Sequence, residues 1–580
     1  MALLFVLIML TAKTPKAQGF LRREGQNIVN NNGNFLIKSM GLGGWMLQEP
    51  YMLQLSGVAS NQQEIKRKIK EVIGEEKTDV FYTAWQNNFI TKGDIDSMAA
   101  WGFNAVRLPM HYNLYTPPVE EEKEKGKNTW IERGFVLTDS LLSWCKSAKL
   151  YLILDLHAAP GGQGADIAIS DRDPSKPSLW QSEAAQQKTI ALWKKLAQRY
   201  AAEPWIGGYD LINETNWGFQ DSTDKNGCSE KINAPLKKLL QDITAAIREV
   251  DKNHTIFLEA NCWANNYSGM FPLWDSNMVV SFHKYWNYND KASIQQFIKI
   301  RAEQNVPLWC GESGENSNNW FQSAIALLEE NNIGWAWWPL KKLGISNPLQ
   351  IKSNDAYNQL INYWKAKGEK PTPEAAFSGL MQLAKDSRIE NAMYHKDVTD
   401  ALFRQVASTS TIPFKKENIK NGSLLFAVDY DLGKTGFAYY DLDTANYRVA
   451  TGKNIISNKG GQYRNDGVDI EQCSDSITNG YNVGWTESEE WLQYTVNVAN
   501  EGIYEVGIRA AAKDSTGQVQ VIVNDSFTQL IKIPKMPAGV NWTTTNTGKL
   551  FFKKGINKIR VKIIKGGVNL NYFKFTQSKK

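Results

Sequence analysis

Residues 207–214 read GGYDLINE: a short, largely apolar run broken once by Asp210 and closed by an amide and an acid, Asn213 and Glu214. A strand buried on both faces of a parallel sheet has this composition, and it turns polar only where it leaves the core. Seven other runs share the pattern, at 35–43 (FLIKSMGLG), 104–109 (NAVRLP), 150–157 (LYLILDLH), 255–260 (TIFLEA), 278–283 (MVVSFH), 307–312 (PLWCGE) and 333–338 (IGWAWW). Stretches such as 181–200 and 234–250 lie between them, with apolar residues recurring three and four apart as on one face of a helix. Eight strand–helix units predict an α/β fold closed as a (β/α)8 TIM barrel. Arg107, His157, Asn213, Glu214, His283 and Glu312 all fall toward the C-terminal ends of these runs, the ends that converge on one rim in such a barrel. A lone Glu at a strand end is more often a helix cap or a solvated loop acid. Two among six converging polar groups favour chemistry.

Past residue 338 the text becomes helical through 406, and 408–421 (STSTIPFKKENIKN) reads as a polar linker. From 422 onward, short alternating runs such as 491–496 (WLQYTV) and 518–523 (QVQVIV) are separated by Gly, Asn and Asp turns, which predicts an all-β sandwich of jelly-roll type. The expected organisation is a signal peptide at 1–17, a barrel with a helical appendix at 18–407, the linker, and a sandwich module at 422–580. The leader rests on MALLFVLIM at 1–9, an apolar run too short to span a bilayer, with a small residue at Ala17. A secreted or periplasmic protein is expected.

Two carboxyl groups on one rim suit glycosidic hydrolysis, in which one protonates the leaving oxygen and the other attacks the anomeric carbon. Aromatic richness, with 21 Trp, 22 Tyr and 23 Phe, adds flat faces on which sugar rings stack. The motifs sharpen this. LINETNW at 211–217 and CGES at 310–313 resemble the acid/base and nucleophile strands of glycoside hydrolase clan A. NAVRLPM at 104–110, LDLHAAPGGQ at 154–163, SFHKY at 281–285 and GWAWW at 334–338 resemble, in order, the remaining segments of family 5. The resemblance implies Glu214 as acid/base, Glu312 as nucleophile, Arg107 and Tyr285 orienting Glu312, and Asn213 on the sugar 2-hydroxyl. It also implies His157, His283 and Trp338 around the −1 sugar.

LGGWMLQEP at 42–50 is most similar to the exo-β-1,3-glucanase branch, in which the first-strand acid, here Glu49, contacts the terminal sugar. The chain departs from that branch in Asn-Glu-Thr at 213–215, where Pro is usual, and in WWPLKK at 337–342. The implied function is a retaining β-glucanase, exo-acting on β-1,3-glucan. An endo-β-glucanase or cellulase, another β-glycanase and a transglycosylase are the alternatives. A non-catalytic glycan-binding barrel predicts loss of a carboxylate, and both are present.

The C-terminal segments YRNDGVDIE at 463–471, NVGWTESEEWLQYTV at 482–496 and GGVNLNYFKF at 566–575 resemble carbohydrate-binding module family 6. That likeness implies a sugar held by Trp485, Trp542 and Asn569, and a structural calcium whose ligands the motifs do not locate. Trp491 is expected in the core beside Tyr494.

The remaining features exclude more than they assign. A net charge of +6 from 66 basic and 60 acidic residues, without a basic block, points to no nucleic-acid or membrane partner. β-Glucan polysaccharides and oligosaccharides are the expected partners of a monomer. Cys145, Cys228, Cys262, Cys310 and Cys473 show no metal or redox spacing, so they are expected as buried apolar residues, with one loop-closing bridge left open. His111, His157 and His283 lack zinc-site spacing, and no cofactor is expected in catalysis. His254 and His395 are expected to be structural.

Overall fold

The computed structural model describes residues 18–124, 126–221, 223–443, 445, 458–512, 516–526, 530–536 and 542–578. The expected signal peptide at 1–17 lies outside them.

Eight parallel strands close the barrel: β1 (Lys38–Gly41), β2 (Ala105–His111), β3 (Tyr151–Ala158), β4 (Ile206–Asp210), β5 (Ile256–Leu258), β6 (Met278–Lys284), β7 (Leu308–Gly314) and β8 (Gly334–Trp338). Each pairs with the next, and β8 pairs with β1 to complete the ring. Helices α1 (Glu183–Tyr200), α2 (Ala234–Val250) and α3 (Asn318–Glu330) belong to the outer layer, each burying an apolar stripe.

Inside the ring the inward-facing side chains change character from bottom to top. Tyr151 and Ile153 of β3 join Ala105, Phe257, Val279 and Trp309 in an apolar floor, which Leu21 and Ile28 of the N-terminal hairpin plug from below. Two and four residues further along the same face, β3 presents Asp155 and His157, and β2 presents Arg107 above Ala105. The charged layer is therefore buried between an apolar plug and the mouth of the barrel. The helices after residue 338, among them Asp355–Trp364 and Pro373–Asp386, pack on the barrel side, where Phe403 meets Phe103 and Trp335.

Two sheets form the sandwich. One orders β9 (Asn418–Ile419), β14 (Trp491–Val498), β19 (Gly555–Lys565), β16 (Gly517–Val523) and β17 (Ile531–Ile533), with β11 (Tyr439–Tyr440) also paired to β14. The other orders β12 (Ile470–Gln472), β13 (Tyr481–Val483), β20 (Val568–Gln577), β15 (Gly502–Ala512) and β18 (Thr543–Phe552), with β10 (Leu424–Phe426) beside β20. Tyr494, Phe552, Phe573 and Phe575 fill the space between them.

Three expectations need correction. The stretch 408–421 is not a free linker: Ile412 bridges to Leu432, Phe414 packs on Tyr463, and Ile419 is buried in edge strand β9. Its few apolar residues bind it to the sandwich. Trp491 is not core, because it stands three residues from Tyr494 and so faces the other side of β14; it lies half-buried under the Arg560 guanidinium, 4.1 Å from its ring. Cys228 and Cys262 are not separate apolar residues but form the bridge left open above, while Cys145 and Cys310 are buried thiols.

Candidate active site

Arg107 organises the charged layer. Its guanidinium, with no exposed surface, donates to Oδ2 of Asp210 (3.0 and 2.9 Å), Oδ1 of Asn213 (2.8 Å), Oε1 of Glu259 (3.0 Å) and Oε2 of Glu312 (2.7 Å). Asp155 lies 3.3 Å away. One cation cannot neutralise four buried carboxylates. Burial pushes the Asp155 and Asp210 carboxyls well above the usual range, which favours their protonated forms. His283 supplies the second positive charge: burial opposes an imidazolium, but Glu259 and Glu214 outweigh it and raise its pKa well above the ordinary value. Its Nδ1 lies 2.7 Å from Oε1 of Glu214 and its Nε2 lies 3.0 Å from Oε1 of Glu259.

His157 is the opposite case. Burial lowers its pKa to about 3, so the ring is neutral, and its 2.8 Å contact with Asp155 is a hydrogen bond from Nδ1 rather than an ion pair. Nε2 is then free to accept from the Asn213 amide at 3.3 Å. The ring also stacks on Trp338, with centroids 5.2 Å apart and planes 5° from parallel.

Above this layer stand the two carboxyl groups expected to react. Glu312 is fastened at both oxygens, by Arg107 at Oε2 and by the Tyr285 hydroxyl at Oε1 (2.9 Å). Glu214 sits in a left-handed conformation (φ 44°), and its backbone N–H donates to Glu259 Oε2 at 2.7 Å. One side-chain ligand atom each from Glu214, His283 and Glu312 lies within 4.8 Å of the others. This trio is the one set with metal-ligand spacing among the described residues, but its donors are already engaged. Both Glu312 oxygens accept from Arg107 and Tyr285, and Glu214 accepts from an imidazolium. A guanidinium 2.7 Å from the carboxylate is a poor neighbour for a divalent cation.

The cleft over these groups has a volume of about 680 Å³ and includes Glu49, Tyr51, Trp263, Trp286, Glu315 and Trp338 in its walls. Burial first, then Glu312 and Glu214, raise the Glu49 pKa well above its ordinary value. Trp338 Nε1 donates to the Tyr51 hydroxyl at 2.8 Å. Lys342, from the unusual WWPLKK segment, pairs with Glu315 at 2.5 Å; Lys341 is instead buried against Asp94 at 2.6 Å. Trp263 is placed by an unusual turn. Cys262, Trp263 and Ala264 all have positive φ (54°, 51° and 62°), a conformation that costs an L-residue about 1–2 kcal/mol. The Cys228–Cys262 bridge and Asn261, whose Oδ1 accepts from the Trp217 and Cys262 N–H groups, hold it there.

The structure thus gathers Glu49, Arg107, His157, Asn213, Glu214, His283, Tyr285, Glu312 and Trp338 at one rim. Sequence reasoning missed Glu259, which bonds to Arg107, His283 and Glu214; its signal was its place at the end of TIFLEA. Tyr51 comes from a single 3-10 turn (Pro50–Leu53), Trp263 from the short turn Asn261–Ala264 and Glu315 from a loop, segments too short to carry a periodic signal.

In the sandwich, Trp485 is 45% exposed and left-handed (φ 46°). The pairings Val483–Leu570, Ala511–Asn569 and Ala510–Thr543 put Trp485, Asn569 and Trp542 at the same end of one sheet. The Asn569 amide donates to Glu471 at 2.5 Å. Asp441 lies close enough to Glu490, Asp469 and Asp443 for burial and their charges to push its carboxyl up to about 9, and Lys459 pairs with Asp443 (2.7 Å) and Asp469 (3.3 Å). Among the described residues no three of the module's acidic side chains present oxygens within 4.8 Å of one another.

Residues 63–344 match the family model described as Cellulase (glycosyl hydrolase family 5), and residues 462–577 match Carbohydrate binding module (family 6). A protein named Beta-xylosidase from Phanerodontia chrysosporium is 24% identical over 386 residues, covering 60% of this chain and 76% of that one. Endoglucanase C from Acetivibrio thermocellus is 27% identical over 326 residues, covering 46% and 88%. A protein named Probable glucan 1,3-beta-glucosidase A from Aspergillus niger is 24% identical over 295 residues, covering 50% and 66%. Among the described residues no helix is long and apolar enough to cross a membrane.

Proposed function

Because the barrel belongs to glycosyl hydrolase family 5 and the sandwich to carbohydrate binding module family 6, we propose that this glycoside hydrolase cleaves a β-glucan with retention of configuration, using Glu214 as acid/base and Glu312 as nucleophile. The observation that supports it is that one carboxyl oxygen of each lies within 4.8 Å of one of the other. Retaining enzymes hold the two groups about 5–5.5 Å apart, whereas inverting enzymes leave about 6.5–9.5 Å for a water. Glu312, kept in place by Arg107 and Tyr285, attacks the anomeric carbon while Glu214 gives its proton to the departing glycosidic oxygen. Glu214 then takes a proton from water, which displaces Glu312 and frees the sugar. His283 Nδ1, 2.7 Å from Glu214 Oε1, holds that carboxyl group in position through both halves.

Glu49 supports the finer reading, an exo-acting β-1,3-glucanase. It stands in the cleft against the reacting pair, where hydroxyls free only on a chain-terminal sugar would meet it. A relative of this chain carries the name glucan 1,3-beta-glucosidase. Relatives named for endoglucanase and xylosidase favour a second reading, an endo-acting or xylan-directed enzyme. The Cys228–Cys262 bridge supports export, since disulfides persist in oxidising compartments. The Trp485, Trp542 and Asn569 end of the sandwich is the proposed glycan-binding face, and no calcium is assigned to it. Hydrolysis rates on laminarin, pustulan, cellulose, mannan and xylan test the reading. Laminarin should be cut fastest with early release of glucose, and faster cleavage of cellulose or xylan overturns the β-1,3 assignment.

A further inference from the structure

Barrel and sandwich meet through buried polar groups. Asn465 of the sandwich enters the loop that follows β7 and behaves as a residue of the barrel. Its backbone carbonyl accepts from the Asn318 N–H (2.7 Å) at the first turn of α3. Its own N–H donates to Asp397 Oδ2 (2.8 Å), to which Asn318 Nδ2 also donates (2.8 Å). Its side-chain amide donates to the Asn316 carbonyl (2.9 Å) and to Asn318 Oδ1 (3.2 Å). The Tyr439 hydroxyl donates to Asn319 Oδ1 at 3.0 Å. Asn316, Asn318, Asp397, Tyr439 and Asn465 are all buried. Buried amides and carboxylates tolerate little displacement, because each broken bond strands a desolvated partner.

The clamped loop carries part of the cleft. Asn316 follows Glu315, a cleft residue held in a left-handed conformation (φ 53°), and Glu315 lies three residues past Glu312. Glu315 pairs with Lys342, whose Nζ stands 5.4 Å from the Tyr51 ring, and Tyr51 accepts from Trp338. Contacts thus run unbroken from Asn465 to the aromatic face of the −1 site.

We propose that the sandwich buttresses a wall of the catalytic cleft from behind, with Asn465 a positioning residue for the Glu315–Lys342–Tyr51 side of the sugar site. This rests on the reading of Glu214 and Glu312 as the reacting pair. Substrate binding then depends on the module even for sugars too small to reach its glycan-binding face.

The test uses the full chain and a soluble aryl β-glycoside that wild type hydrolyses. Rates are counted per active site titrated with a mechanism-based covalent inhibitor, so that misfolded molecules drop out. Asn465→Ala keeps the backbone bonds and removes the two side-chain bonds. It should lower kcat/KM about tenfold, mainly through KM, in line with the sensitivity of reaction rates to small displacements. Tyr439→Phe, which loses one bond to Asn319, should fall the same way by less. An unchanged kcat/KM per titrated site in both variants overturns the proposal. A wild type that neither turns over nor titrates overturns the hydrolase reading, and this proposal with it.

Discussion

Arg107 donates to Oε2 of Glu312 across 2.7 Å, with the guanidinium wholly enclosed. Such a pair fixes the orientation of the carboxyl group, whose other oxygen Tyr285 holds. With one carboxyl oxygen of Glu214 within 4.8 Å of one of Glu312, the two acids stand at the short spacing of a retaining pair. The first sugar released from a β-linked substrate should therefore be the β-anomer, as read by proton NMR before mutarotation; an initial α-anomer contradicts the assignment. Glu312→Ala should abolish turnover of every substrate. Glu214→Ala should lose roughly 10²–10⁴-fold on glucan but far less on an activated aryl glycoside, which needs little protonation.

Glu49 faces the reacting pair from the first-strand side. Glu49→Gln exchanges one acceptor oxygen for a donor, so two sugar hydroxyls no longer both find acceptors. We expect kcat/KM on laminari-oligosaccharides to fall by about tenfold or more. Chromatography of early wild-type products should show glucose in excess. Mixed longer oligosaccharides at early times would reject exo action.

His157 couples the site to acid stability. In the folded chain burial lowers its pKa to about 3, whereas the unfolded ring titrates near 6.5. Below about pH 6.5 the unfolded state takes up the proton first, so this group makes stability fall as pH drops toward 3, by up to about 1.4 kcal/mol per pH unit. Urea unfolding between pH 4 and 7 should show a shallower slope for His157→Gln than for wild type. Parallel slopes would mean that the ring is not the titrating group.

The sandwich end carrying Trp485 and Trp542 should retain the protein on insoluble glucan. The double Ala variant of the full chain should lose that retention and keep wild-type rates on a soluble aryl glycoside, since stacking faces contribute about 1 kcal/mol or more to binding without touching the barrel. Undiminished retention would move the binding face elsewhere on the molecule.

Much of this was legible beforehand, for reasons that differ by residue. Glu214 and Glu312 could be read because a parallel barrel delivers every strand end to one rim, which makes position in the chain a guide to position in space. Glu259 met the same criterion and was passed over, although it bonds to three groups of the site. Trp491 was misread by parity: three residues along a strand reverse the face, and only even steps return to it. Tyr51, Trp263 and Asn465 were not legible. Short turns and loops have no period, and a contact between residues 465 and 316 depends on two folded bodies meeting.

The Cys228–Cys262 bridge encloses α2 and β5, one complete helix–strand unit of the barrel, within a covalent ring. A protease that nicks the chain anywhere from 229 to 261 therefore releases nothing. The nicked molecule travels as a single band in a non-reducing gel, and it separates into two fragments only after a thiol has opened the ring.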